Sequence, residues 1–146
     1  MIVCSKLKSL VSLVNELENF DYKEEEHHIV YGVKNDPLVS KLIDILEEAE
    51  VNFEFRDFRD HRPTREQLTQ WAAFMEEPFP LNYRSTFVKK NRKYFDKFTE
   101  SKQYQWISEN YQSIERLIIL NSKNEVLWIG GRPERIAKVV FNLVQD

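Results

Sequence analysis

Asp36 stands between Lys34-Asn35 and Pro37, where an apolar run from Ile29 to Val33 gives way to a helical pattern. Proline is favoured in the first helical turn, so a helix starts at Pro37 and Asp36 takes its N-cap. A helix N-terminus presents unpaired N–H groups and the positive end of the helix dipole, and so stabilises an anion there. Reactive thiolates use such junctions. A carboxylate cannot perform thiol–disulfide exchange, so the chemistry this junction suits best is missing from it.

Other groups with chemical potential are weaker. The single cysteine, Cys4, permits neither an internal disulfide nor a Cys-x-x-Cys pair, and only Lys6 and Lys8 are near enough in sequence to lower its pKa. The run Glu24-Glu25-Glu26-His27-His28 carries metal-ligating side chains, but adjacent residues point different ways and such runs are usually solvated, so no metal is expected. The stretch Phe87 to Phe98 mixes aromatics with lysines, as single-stranded nucleic acid binders do. Its period suits an amphipathic helix facing a core better.

The elements around the junction follow from periodicity. Leu7, Leu10, Val11, Val14 and Leu17 recur at helical spacing, and the polar stretch from Asp21 to His28 has no apolar period. Residues 1–28 are therefore expected to form an N-terminal amphipathic helix and linker, and residues 29–146 one domain. Ile29 to Val33 predicts a strand, and the helix from Pro37 is expected to turn Leu38, Leu42, Ile45, Leu46 and Ala49 inward. Val51 to Phe58 alternates as a second strand, and Pro63-Thr64 opens a helix carrying Leu68, Trp71, Ala72 and Met75. Two short helices are expected around Phe87 to Phe98 and Tyr104 to Tyr111. Strands at Leu117 to Leu120 and Val126 to Ile129 are joined by a turn short enough for an antiparallel hairpin. Pro133 opens a last helix with Ile136, Val139, Val140 and Leu143 inward. The order βαβα, extra helices, ββα is that of a thioredoxin-like α/β domain: a four-stranded mixed sheet flanked by helices.

Bulk properties bound the function. A chain of 146 residues with 42% apolar residues, among them ten Phe, six Tyr and three Trp, suits one domain with a sizeable core. A net charge of −3 with both signs interspersed argues against broad capture of nucleic acid or anionic membrane, while leaving room for a local basic patch. No run approaches the roughly 20 apolar residues that span a bilayer. The N-terminus lacks a secretory signal pattern, so the cytoplasm is the expected location.

Five segments in order resemble one family: Tyr-Gly-Val-Lys-Asn at 31–35; Phe-Glu-Phe-Arg-Asp-Phe-Arg at 53–59, leading to Pro-Thr-Arg-Glu-Gln-Leu at 63–68; Leu-Asn-Tyr-Arg-Ser-Thr at 81–86; Ile-Glu-Arg-Leu-Ile-Ile at 114–119; and Ile-Gly-Gly at 129–131. Over Ile29 to Val144 the chain resembles the arsenate reductase and Spx group of thioredoxin-fold proteins. Residues 1–28 have no counterpart in that pattern. The resemblance implies a nucleophilic cysteine where Asp36 stands, and a cis-proline where Leu117 stands. A non-proline cis bond costs about 3 kcal/mol, so a trans bond is expected at Leu117. The resemblance also implies an oxyanion site of three arginines, matched here by Arg84, Arg116 and Arg132. Asp36, as an internal anion, is expected to cap the helix and pair with one or more of them. The bland alternatives are an ordinary N-cap and arginines solvated among the chain's many carboxylates.

Two functions stay open. With no thiol at 36 and no cofactor implied, the first is a noncatalytic protein that binds a protein partner, as Spx-like regulators contact RNA polymerase. Its N-terminal helix would serve as a homodimer contact, a docking element or a cover for its own domain. The second is an enzyme: a reductase of the arsenate reductase type borrowing a thiol from glutathione or a partner protein, or anion-directed chemistry with Asp36 as a base.

Overall fold

In the computed structural model the described residues are 27–143. The expected N-terminal helix lies outside them, as does most of the linker. The elements are β1 (His28–Gly32), α1 (Pro37–Glu48), β2 (Phe53–Asp57), α2 (Arg65–Met75), α3 (Thr86–Phe95), α4 (Glu100–Glu109), a 3-10 turn (Tyr111–Ser113), β3 (Ile118–Leu120), β4 (Val126–Ile129) and α5 (Pro133–Val139). The sheet order is β2-β1-β3-β4. β1 runs parallel to β2 and antiparallel to β3, and β3 runs antiparallel to β4. This is the mixed thioredoxin-like sheet expected from the element order.

Strand residues alternate between two cores, as the period-2 pleat requires. On one face Val30, Leu117 and Ile119 pack with Val39, Leu42 and Leu46 of α1 and Ile136 of α5. On the other, Ile29, Tyr31, Ile118 and Leu120 pack with Leu68 and Trp71 of α2 and Ile107 of α4. The Tyr31 hydroxyl accepts from Arg56 Nη1 at 3.1 Å and Gln67 Nε2 at 3.2 Å, so its polar end is satisfied inside the second core. Thr64 and Gln67 form the capping box that starts α2.

Several inward positions differ from the periodic reading. In α1 the buried residues are Val39, Leu42 and Leu46, while Leu38 is exposed, Ala49 is exposed and Ile45 half-buried. Leu38-Leu42-Ile45-Ala49 and Val39-Leu42-Leu46 are both apolar stripes at helical spacing, and the direction of the sheet selects the second. In α5, Pro133, Ile136 and Ala137 are buried and Val139 is exposed, because Val139 falls about 100° away from the face those residues share. The Arg116–Leu117 bond is cis, not trans. Leu117 N–H donates to Gly130 O, and Gly130 N–H to Leu117 O, both at 2.8 Å, and the Leu117 side chain is fully buried. Tertiary surroundings rather than residue type set that geometry. Among the described residues no helix is long and apolar enough to cross a membrane.

Candidate functional site

The site is built at the C-terminal end of β1. Gly32 pairs with Asp57 at the end of β2, and Phe58 N–H donates to Gly32 O at 3.0 Å. The chain then turns through Lys34-Asn35, with Asp36 N–H donating to Val33 O at 3.0 Å, and enters α1. Asp36 has the extended backbone of an N-cap (φ −72°, ψ 127°), and its Oδ1 accepts from Leu38 N–H at 3.0 Å. Its other oxygen, Oδ2, accepts from Arg116 Nε at 2.6 Å. The Asp36 side chain is 11% exposed and that of Arg116 28%, so water screens the pair only in part. Both oxygens of the carboxylate are thus engaged, one by the helix and one by the guanidinium.

Arg116 reaches this point because its segment is stitched to the loop before α3. Asn82 N–H donates to Ser113 O at 2.8 Å, Glu115 N–H to Pro80 O at 3.0 Å, and Leu81 and Ile114 form an antiparallel bridge. The same stitching brings Arg84 beside Glu115, 3.8 Å apart. Glu115 Oε1 also accepts the Arg116 N–H at 3.0 Å. The charges therefore alternate along Arg84, Glu115, Arg116 and Asp36. An open cleft of about 320 Å³ lies against this array, lined by Val33, Asn35, Asp36, Pro37, Tyr111 and Arg116. Of the three arginines, Arg116 alone lines it. Arg84 is 88% exposed and faces Glu115. Arg132, at the N-cap of α5 with φ 80°, is exposed and makes no ion pair among the described residues.

Asp57 supports the site from behind, and periodicity alone did not mark it as a site residue. Its carboxylate is buried and accepts from Lys34 N–H at 2.9 Å, from Arg59 N–H at 2.8 Å, and from Arg59 Nε and Nη2 at 2.9 and 2.7 Å. The Arg59 guanidinium, helped by the backbone N–H groups of Arg59 and Lys34, holds this carboxyl well below the usual carboxylate range despite burial. The bond to Lys34 ties the turn before Asp36 to β2. A signal was present: Asp57 falls on the same alternation as Phe53 and Phe55, and a carboxylate on a core-facing register must find partners. Nothing in the sequence marked Tyr111 as a wall of the cleft.

Glu24, Glu25 and Glu26 lie outside the described residues, as does Cys4. His28 packs against Phe141 in a tilted arrangement, with ring centroids 4.6 Å apart and planes at 57°. No group of three metal-ligating side chains is found among the described residues.

No family model and no curated protein matches the sequence. Solved structures do match. A YffB protein superposes with a TM-score of 0.59 at 23% identity, over 75% of this chain and 96% of that one. An arsenate reductase from Vibrio cholerae gives 0.58 at 12% identity, over 83% and 100%. An arsenate reductase (ArsC) related protein from Brucella melitensis gives 0.57 at 16% identity, over 84% and 100%. The fold is that of the arsenate reductases. Within that thioredoxin-like fold, this chain carries a carboxylate-capped α1 paired with Arg116.

Arg116→Ala is expected to cost about 1 kcal/mol of unfolding free energy, since it removes one partly shielded, charge-assisted bond while Asp36 keeps its cap. Arg84→Ala is expected to stay within about 0.5 kcal/mol, as its ion pair is long and solvated. Urea unfolding of both variants checks the contrast; equal losses would contradict the geometry.

Proposed function

We propose that this is a noncatalytic protein of the arsenate reductase fold that acts by binding a protein partner. One observation carries the reading: the carboxylate of Asp36 caps α1 and is paired with Arg116, at the helix start where a thiolate or an oxyanion would sit. Such a side chain offers no sulfur to attack or accept. Both of its oxygens are held in place, one by the Leu38 N–H and one by Arg116 Nε. The retained scaffold with an internally neutralised site supports a role in recognition rather than turnover.

Glutathione-dependent arsenate reduction by the purified chain is the direct test, with none expected above the protein-free rate. Turnover that persists after Cys4→Ser would overturn the reading and favour a reductase that borrows an external thiol. A companion experiment probes the site itself. In a Cys4→Ser background, Asp36→Cys places a thiol at the head of α1 beside Arg116, and both lower a thiol pKa. Alkylation by iodoacetamide at pH 7 is expected to run about tenfold faster than in the same variant unfolded in urea. Equal rates would mean that position 36 is not anion-stabilising.

A further inference from the structure

We propose that the exposed face of α3 is a docking surface for an acidic segment of another protein. This deepens the partner-binding reading above and rests on it. Between Arg84 and Lys102 the sequence holds seven cations and only two carboxylates, a local charge of +5 in a chain whose net charge is −3, which leaves −8 on the remainder. The helix concentrates that charge on one side. Lys89, Lys90, Lys93 and Tyr94 fall within an arc of about 140°, and Lys97 follows in the turn after the helix. The opposite side carries Val88 and Phe95, both buried.

The neighbouring charges are already used. Arg92 pairs with Asp96 at 3.0 Å and lies over the Tyr83 ring, and Lys102 lies over the Phe98 ring. Lys89, Lys90 and Lys93 of the arc, and Lys97 after it, have no ion pair among the described residues. Lys89 and Lys93, one turn apart, repel each other. Four unneutralised ammonium groups on one short surface therefore fit a partner that supplies carboxylates, and charge complementarity of this kind sets association rate and register.

The aromatic residues of the stretch decide between classes of partner. Phe95 packs against Phe79, Phe98 and Trp106, and Phe87 stacks on Trp106. These rings pack on one another rather than standing free, so the surface lacks a row of open platforms for bases. Tyr94 alone stands exposed among the lysines, at 64%. One large amphipathic side chain ringed by cations suits an apolar residue set within an acidic protein segment.

The test uses the full chain and a fluorescein-labelled peptide of glutamates and aspartates around one leucine, read by anisotropy at low and at raised salt. The combined substitution Lys89→Gln, Lys90→Gln, Lys93→Gln and Lys97→Gln is expected to weaken binding at least about tenfold, while Lys123→Gln with Lys138→Gln leaves it unchanged. Tyr94→Ala is expected to weaken the leucine peptide about threefold and to spare a peptide without leucine. All of these side chains are exposed, and circular dichroism verifies that each variant folds. Affinity unmoved by the four substitutions overturns the proposal. So does tighter binding of a thymidine oligonucleotide of equal charge, or low-salt self-association abolished by the same substitutions, which would make a second copy the occupant. Arsenate turnover with acidic-peptide binding intact would sink only the noncatalytic reading; failure to bind without turnover would sink only this one.

Discussion

Asp57→Ala is expected to lower the unfolding free energy by about 3 kcal/mol. Three interactions disappear together: the bond to the Lys34 N–H, the bond to the Arg59 N–H, and the two-pronged contact with the Arg59 guanidinium. The guanidinium is half in water and recovers part of its loss by hydration. The Lys34 N–H sits in a partly buried turn and recovers less, so it dominates the cost. Asp57→Asn is expected to cost less, because an amide oxygen can still accept from Lys34. Chemical denaturation of the three proteins gives the ranking, and a loss below about 1 kcal/mol for the alanine variant would show that the clamp is dispensable.

The same carboxylate makes a pH prediction whose sign is fixed. Its folded pKa is depressed, with the Arg59 guanidinium as the leading cause. It therefore contributes stability that is fully present above the unfolded value near 4 and is lost as pH falls through the lower folded value. The stability difference between wild type and Asp57→Asn should be constant from about pH 5 to 7 and shrink below about pH 4. A difference that grows toward acid would contradict the assignment.

The residues explain why part of this site was legible and part was not. Asp36 was readable because capping is local: Asp before Pro fixes an N-cap whatever the tertiary structure does, and the Leu38 N–H bond follows. Its pairing with Arg116, eighty residues on, was named only through a family resemblance, and the fold delivers one arginine of three into the cleft. The segments carrying Arg84 and Arg132 were placed correctly in the chain order. Where their side chains end up depends on the Leu81–Ile114 bridge and on the left-handed backbone at Arg132, which no period in the sequence encodes. α1 shows the same division. Its existence and start were fixed by Pro37, but the choice between two apolar stripes one residue apart belongs to the sheet beneath it. The strand order followed from simple connection rules, since β-α-β gives a parallel pair and the five-residue connection from Asn121 to Glu125 gives a hairpin. The cis bond before Leu117 runs against residue-type preference, and no period in the sequence encodes it.

Gly32→Ala should reveal how tightly that sheet and α1 are locked behind the site, with an expected loss of about 2 kcal/mol. A methyl group on Gly32 would lie 2.6 Å from Val39 Cγ2 and 3.5 Å from Leu117 Cδ2. Val39 is fully buried and β-branched, and one χ1 rotamer dominates for such a residue in a helix, so its side chain cannot swing aside. The helix must give way instead, and Asp36 at its head moves with it, away from Arg116. At roughly 4 °C per kcal/mol for a domain of this size, the melting temperature should fall by about 8 °C. The decisive version is a double-mutant cycle. Val39→Ala alone opens a cavity and costs stability, but in that background the new methyl of Gly32→Ala enters the space Val39 vacated. The two losses should then fall short of additivity by more than about 1 kcal/mol. Additive losses would show that Gly32→Ala is disfavoured for reasons other than the close approach of α1.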